Sequence, residues 1–310
     1  MVVGPENPTV RSKMTLPDNK WPAQDGRCIE LPSGLCYYRT VGRGKPPVVL
    51  LHGLANDSRI YGRLQQLLGR STRTLAPDLL GWGRSKPNDG LEFGFDTIDR
   101  NVQQFLDACD LDDLVLVGHE MTGPAAIRWA AAHPARARGL VLLNTYYGWN
   151  SARMPPILKV LHAPLAGPML RRVIDVGKPA LARHLFRWQI GRLWGRRTEM
   201  SDQLTRMFHE MFSESALARR AFHRINDQLV SQIDANQRRL DLLATLQCPT
   251  LVLWGSRDPY LRPHVARQFH RLIPNSHLTL LPESGHFVQV EDAEAVSEAI
   301  TRFIRGISAG

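Results

Sequence analysis

The stretch Leu114-Val-Leu-Val-Gly-His-Glu-Met-Thr-Gly-Pro-Ala-Ala-Ile127 constrains the fold of this chain more than any other. Leu114 to Val117 is a short apolar run with two valines, which reads as a buried strand and not as a helix. Gly118 breaks the run. From Met121 onward, Ala125, Ala126, Trp129 and Ala130 recur at helical spacing. Strand, tight turn and helix in that order describe an elbow that lifts one side chain above a sheet, usually written G-x-S-x-G. Here the raised position holds Glu120 instead of serine.

The remaining chain alternates in the same way. Arg27–Leu31 and Leu35–Val41 flank Pro32-Ser-Gly34 as a hairpin. Val48–Leu51, Arg73–Ala76, Gly139–Leu143, Thr250–Trp254 and His277–Leu281 read as strands. Arg59–Leu68, Thr97–Cys109, His264–Leu272 and Ala293–Ile304 read as helices. This alternation predicts an α/β fold with a mostly parallel sheet covered by helices on both faces. Residues 1–24, polar and rich in proline, are expected to form a surface arm. From Asn144 about a hundred residues keep helical periodicity without a clear strand. We therefore assign residues 1–144 and 246–310 to the core and 145–245 to a helical cap above the carboxyl edge, where ligands bind in such sheets.

Composition excludes several classes. With 43% hydrophobic and 22% charged residues the chain is an ordinary globular one. No run approaches the roughly 18 apolar residues of a membrane span, and the first residues lack the basic start and apolar run of a signal peptide. A cytoplasmic protein without membrane contact, monomeric or homodimeric, is the expectation. The four cysteines (Cys28, Cys36, Cys109 and Cys248) show neither metal-site nor redox spacing, and no metal is expected. Residues 146–245 carry 16 Lys+Arg against 8 Asp+Glu, an excess of +8 within a total of +10. That asymmetry fits a solvated basic face or the attraction of anionic substrates. The basic residues are not interleaved with aromatics in a nucleic-acid motif, so no nucleic acid is expected.

Four motifs occur in order: Val48-Val-Leu-Leu-His-Gly53, Asp78…Gly81-Trp-Gly-Arg-Ser85, the elbow, and Trp254-Gly-Ser-Arg-Asp-Pro259…Ser284-Gly-His-Phe287. Together they resemble the α/β-hydrolase superfamily over residues from about 27 to 305. Val117-Gly-His-Glu-Met-Thr-Gly-Pro124 is most similar to the elbow of haloalkane dehalogenases and epoxide hydrolases, which carry a carboxylate nucleophile, normally aspartate. The resemblance implies an eight-stranded sheet, a helical cap and no cofactor. It also implies a catalytic triad of Glu120, Asp258 and His286 in the superfamily's chain order. Backbone N–H groups of Leu54 and Met121 would form the oxyanion hole. His52, Asp78, Arg84 and Ser85 are read as loop scaffolding. His119, Thr122, Asn144, Tyr146, Tyr147, Trp149, Trp188 and Phe287 are the expected pocket residues.

A carboxylate is ordinarily an anion near neutral pH and can attack an alkyl carbon directly, leaving an ester on Glu120. Attack on an ordinary ester would instead require a high-energy anhydride. The sequence departs from both named branches. Met121 and Leu54 stand where dehalogenases usually hold the halide, and no tyrosine occurs between residues 148 and 259 to serve as the epoxide hydrolases' cap donors. Tyr146 and Tyr147 are candidate substitutes, although neighbours on a strand end point opposite ways. Trp149, Trp188 and Trp194 offer ring N–H groups. Thr122 replaces a glycine, so its branched side chain needs space or a hydroxyl partner. The expected activity is hydrolysis of an apolar epoxide, strained lactone or alkyl halide, in that order. A lyase, cyclase or isomerase using Glu120 as general base, and a non-catalytic ligand-binding homologue, are the alternatives.

Overall fold

The strand runs read from the sequence assemble into one sheet in the computed structural model, which describes residues 26–148, 156–176, 188, 191–195 and 202–308. Strands β1 (Gly26–Leu31), β2 (Gly34–Val41), β3 (Val48–Leu51), β4 (Thr74–Pro77), β6 (Leu114–Glu120), β7 (Ala137–Thr145), β8 (Thr250–Gly255) and β9 (Ser276–Leu281) lie in the order β1-β2-β4-β3-β6-β7-β8-β9. A two-residue strand, β5 (Lys86–Pro87), pairs with β2 off this path. From β4 onward along this order to β9 the pairing is parallel, and the antiparallel pairs are β1 with β2, β2 with β4 and β2 with β5. The central strands are apolar at nearly every position because helices cover both faces. Val48–Leu51, Leu114–Val117 and Leu140–Leu143 are all fully buried.

The sheet is wrapped by α1 (Gly62–Leu68), α2 (Phe95–Ala108), α3 (Gly123–Ala132), α8 (Pro263–Leu272), α9 (Val288–Glu291) and α10 (Ala293–Ser308), counting helices along the chain. The single helix expected over Arg59–Leu68 is split. Asp57 caps a 3-10 turn, Ser58–Tyr61, and the α-helix begins only at Gly62. Between β7 and β8 the described residues form α4 (Pro156–Leu161), α5 (Ala166–Val176), α6 (Asp202–His209) and α7 (Ala216–Gln237), with no strand among them. The expected arm, residues 1–24, and Trp149 lie outside the described residues. No described helix is long and apolar enough to cross a membrane.

Helix α7 ties this helical stretch to the core. Gln228 accepts from the Phe95 N–H and donates to the Phe93 carbonyl, while Arg128 binds Asp99 and Asn236. Arg59 reaches from Asp57 in the core to Glu210. The stretch is thereby held next to the ends of β6 and β7, where the candidate site lies.

Candidate active site

Strand β6 ends on a strained residue. Glu120 has φ +52°, a left-handed conformation that a branched or bulky residue rarely adopts. Two glycines let the helix that follows press against the strand. A Cβ on Gly118 would stand 2.8 Å from the Gly123 Cα, and one on Gly123 would stand 1.9 Å from Thr145 Oγ1. The strain is met by hydroxyls on both sides. Thr145 donates to the Glu120 carbonyl at 2.5 Å. Thr122, packed where a glycine is usual, accepts from the His119 N–H at 3.1 Å and faces the carbonyls of Leu51 at 3.0 Å and His119 at 2.9 Å. Its hydroxyl is therefore the elbow's internal brace, and Thr122 does not line the expected pocket. Thr122→Val should cost about 1–3 kcal/mol, because buried backbone groups lose their partner. Denaturant unfolding checks this.

The Glu120 carboxylate points toward the loop after β3, where Oε2 accepts from the Leu54 N–H at 2.6 Å. Gly53 makes that approach possible, since a Cβ there would lie 2.9 Å from Glu120 Oε2 and 3.0 Å from His119 Nδ1. His52 shapes the loop. Its Nε2 accepts from Leu79 N at 3.0 Å, so Nδ1 carries the proton and donates to the Gly53 carbonyl at 2.9 Å. Burial holds this imidazole down at about 4. Asp78 accepts the N–H groups of Ser58 and Arg84, and the Ser85 hydroxyl donates to the Asp78 carbonyl. These residues stabilise the loop's shape. The Met121 N–H, the second expected oxyanion donor, follows Glu120 and has no acceptor among the described residues.

His286 and Asp258 meet at the carboxyl ends of β9 and β8. His286 Nδ1 lies 2.7 Å from Asp258 Oδ2. A carboxylate oxygen there accepts, so the proton sits on Nδ1 and Nε2 is left as the basic nitrogen. The Asp258 carboxylate is fixed by three further donors: Asn144 Nδ2 at 2.9 Å, Tyr260 N at 2.9 Å and Leu261 N at 3.0 Å. Asn144, with φ +30°, also accepts from the Gly255 N–H at 2.9 Å. It is thus a clamp on Asp258 and not the pocket wall expected from the sequence. Burial by itself would depress the His286 imidazole below the usual 6.5, but Asp258, with smaller contributions from Glu120 and Glu291, holds it above that value. No hydrogen bond joins Glu120 to His286. The carboxylate rests on Leu54 while its charge faces the imidazole.

The other expected pocket residues divide. His119 is wholly buried behind the elbow, its ring 5.0 Å from that of His286 and 5.9 Å from that of Phe287. Its Nε2 donates to the His286 carbonyl at 3.1 Å, and burial followed by the neighbouring His286 pushes its pKa well below the ordinary value. Phe287 packs edge-on against His286 at 4.9 Å. The two tyrosines after β7 diverge. Tyr146 feels the Glu120 charge, and its hydroxyl is buried without a partner. Tyr147 instead lies among Arg128, Arg239 and Asp99, so it is not at the carboxylate. Trp188 is 52% exposed under the Arg192 guanidinium and is not a pocket residue either. Trp194 keeps a buried ring N–H with no partner. No cluster able to hold a metal ion occurs among the described residues.

Residues 46–293 match the model of the alpha/beta hydrolase fold family. The chain belongs to the α/β-hydrolase fold family. Among curated members it is 28% identical over 288 residues to haloalkane dehalogenase 2 of Mycobacterium tuberculosis (strain ATCC 25618 / H37Rv), covering 92% of this chain and 96% of that one. It is 27% identical to a 2-hydroxy-6-oxononadienedioate/2-hydroxy-6-oxononatrienedioate hydrolase of Pseudomonas putida, covering 87% and 91%. A haloalkane dehalogenase of Agrobacterium tumefaciens C58 superposes with a TM-score of 0.77 at 20% identity, covering 92% of this α/β-hydrolase and 98% of that structure. A putative lipase of Acinetobacter baumannii AYE does so with a TM-score of 0.77 at 20% identity, covering 92% of each chain. These structural likenesses concern the fold.

Proposed function

We propose that this hydrolase opens an apolar electrophile by attack of the Glu120 carboxylate and releases the product by hydrolysis of the resulting glutamyl ester. The observation that carries the reading is the posture of Glu120. It stands on the strained elbow with Oε2 on the Leu54 N–H, which leaves Oε1 to form the new C–O bond. When water later attacks the glutamyl carbonyl, the oxygen on the Leu54 N–H becomes the oxyanion, with the Met121 N–H as the second donor. His286 Nε2 takes the proton from that water and returns it to the departing alcohol oxygen, while Asp258 holds the tautomer. The described helices α4 to α7 between β7 and β8 serve as the cap that keeps bulk water out.

The substrate classes are ranked by the available donors. The side chains of Leu54 and Met121 offer nothing to a departing halide. The unpartnered Tyr146 hydroxyl near Glu120 suits an oxygen that gains charge as a ring opens. Epoxides and strained lactones are therefore favoured over alkyl halides, even though haloalkane dehalogenases are among the relatives. Tyr146→Phe should lower kcat for an aryl epoxide by roughly 100-fold while leaving any turnover of a primary alkyl bromide nearly unchanged. Parallel steady-state assays decide this.

Oxygen labelling tests the pathway itself. In a single turnover with enzyme in excess in 18O water, the ester route yields unlabelled product and places the label in the Glu120 carboxylate. If Glu120 acted instead as general base for water, the label would enter the product in that first turnover.

A further inference from the structure

Glu291 is a carboxylate to which the reaction above gives no part, yet it is 6% exposed and close to the histidine. It ends the short helix α9, five residues after His286. Oε2 accepts from the Gly285 N–H at 2.8 Å and from the Gly195 N–H at 2.8 Å, and Oε1 accepts from the Phe287 N–H at 3.0 Å. One carboxylate thus grips the backbone on both sides of His286 together with Gly195 from within the helical stretch. The two pieces of chain meet along their backbones. The His286 N–H donates to the Leu193 carbonyl at 2.8 Å, and Arg257 Nη1 donates to the Gly195 carbonyl at 3.1 Å. There is no room for a side chain between them. A Cβ on Gly195 would lie 2.3 Å from Gly285 N, and one on Gly285 would lie 2.2 Å from the Leu193 carbonyl oxygen.

Burying a carboxylate is costly, and an apolar residue of similar size would usually hold a loop as well. What the carboxylate adds is three acceptor contacts to N–H groups that would otherwise be unpaired, one of which belongs to a different part of the chain. We propose that Glu291 is a positioning residue that sets the His286 loop and makes that setting conditional on the docking of Leu193–Gly195. When that segment lifts, Glu291 loses the Gly195 N–H and His286 loses the Leu193 carbonyl. The base then falls out of register whenever the pocket is open. Ester hydrolysis is thereby confined to the closed state.

The inference rests on His286 being the base of the proposed reaction, and its test is chosen to stand apart from turnover. The groups facing His286 are Asp258 from the loop after β8, Glu120 and His119 from the elbow, and Glu291 from helix α9. Glu291→Gln removes one negative charge and one acceptor. The imidazolium of His286 loses support, so the midpoint of its ring-carbon NMR titration should fall below that of the wild type. Hydrogen exchange of the Leu193 to Gly195 amides should quicken at least about tenfold as local opening becomes easier. Gly195→Ala keeps the charge and breaks only the docking. It should quicken exchange at Gly285 to Phe287 and lower kcat without a comparable fall in the midpoint, and it tests the idea should the glutamine variant not fold. A glutamine variant whose titration and exchange match the wild type, or an alanine variant with unchanged exchange in the histidine loop, overturns the proposal. Full turnover by His286→Ala would instead remove the base reading and leave these two observables as they are.

Discussion

Glu120→Gln should lose turnover by at least about 1,000-fold, with the fold and the stability essentially kept. The glutamine amide has nearly the volume of the carboxylate and can still accept from the Leu54 N–H through its oxygen. The Thr145 and Thr122 hydroxyls that brace the elbow touch the backbone and not this side chain. The lost property is nucleophilicity alone. An amide oxygen carries no full negative charge and makes a poor ester precursor. Circular dichroism and denaturant unfolding should overlay those of the wild type, while product formation from an aryl epoxide falls to the background rate. Retention of wild-type turnover would exclude Glu120 both as nucleophile and as general base.

The second large effect is expected at His286. In His286→Ala, attack by Glu120 proceeds, because ring opening draws only on the carboxylate and a donor to the leaving oxygen. Hydrolysis of the ester loses the group that deprotonates water, a contribution of roughly 100- to 10,000-fold. Rapid mixing should therefore show one equivalent of ring-opened substrate formed per enzyme, followed by a steady rate lowered by that factor. In the wild type, turnover should rise with pH through the titration of His286, because its protonated form cannot accept the proton from water. The midpoint should lie above the ordinary histidine value of 6.5, since Asp258 and the other carboxylates outweigh the effect of burial.

Some of this was legible in the sequence, and some required the packed chain. The strands were legible because each central one is a short apolar run closed by a glycine, a proline or a polar residue, as at Val48–Leu51 and Leu114–Val117. The break at Gly62 was not, since the amphipathic spacing of Arg59–Leu68 continues through it. It is the Asp57 side chain that caps a tighter first turn. Asn144 read as a pocket residue because strand ends in such sheets line pockets. Its actual partner, Asp258, lies 114 positions away, and no local pattern announces that contact. Thr122 posed the right question in the sequence, and the answer was a hydroxyl bonded to backbone. Glu291 had no part in the sequence reading, although an acid closing the mostly apolar run Phe287-Val-Gln-Val-Glu291 directly after the histidine was the available signal.

The proposed reaction requires a covalent bond between substrate and Glu120, which intact-mass spectrometry of His286→Ala would reveal. After mixing with an aryl epoxide, the variant should gain one substrate mass per chain, located by digestion to the peptide containing Glu120. An unmodified chain, recorded under conditions in which the wild-type protein consumes that epoxide, would contradict it.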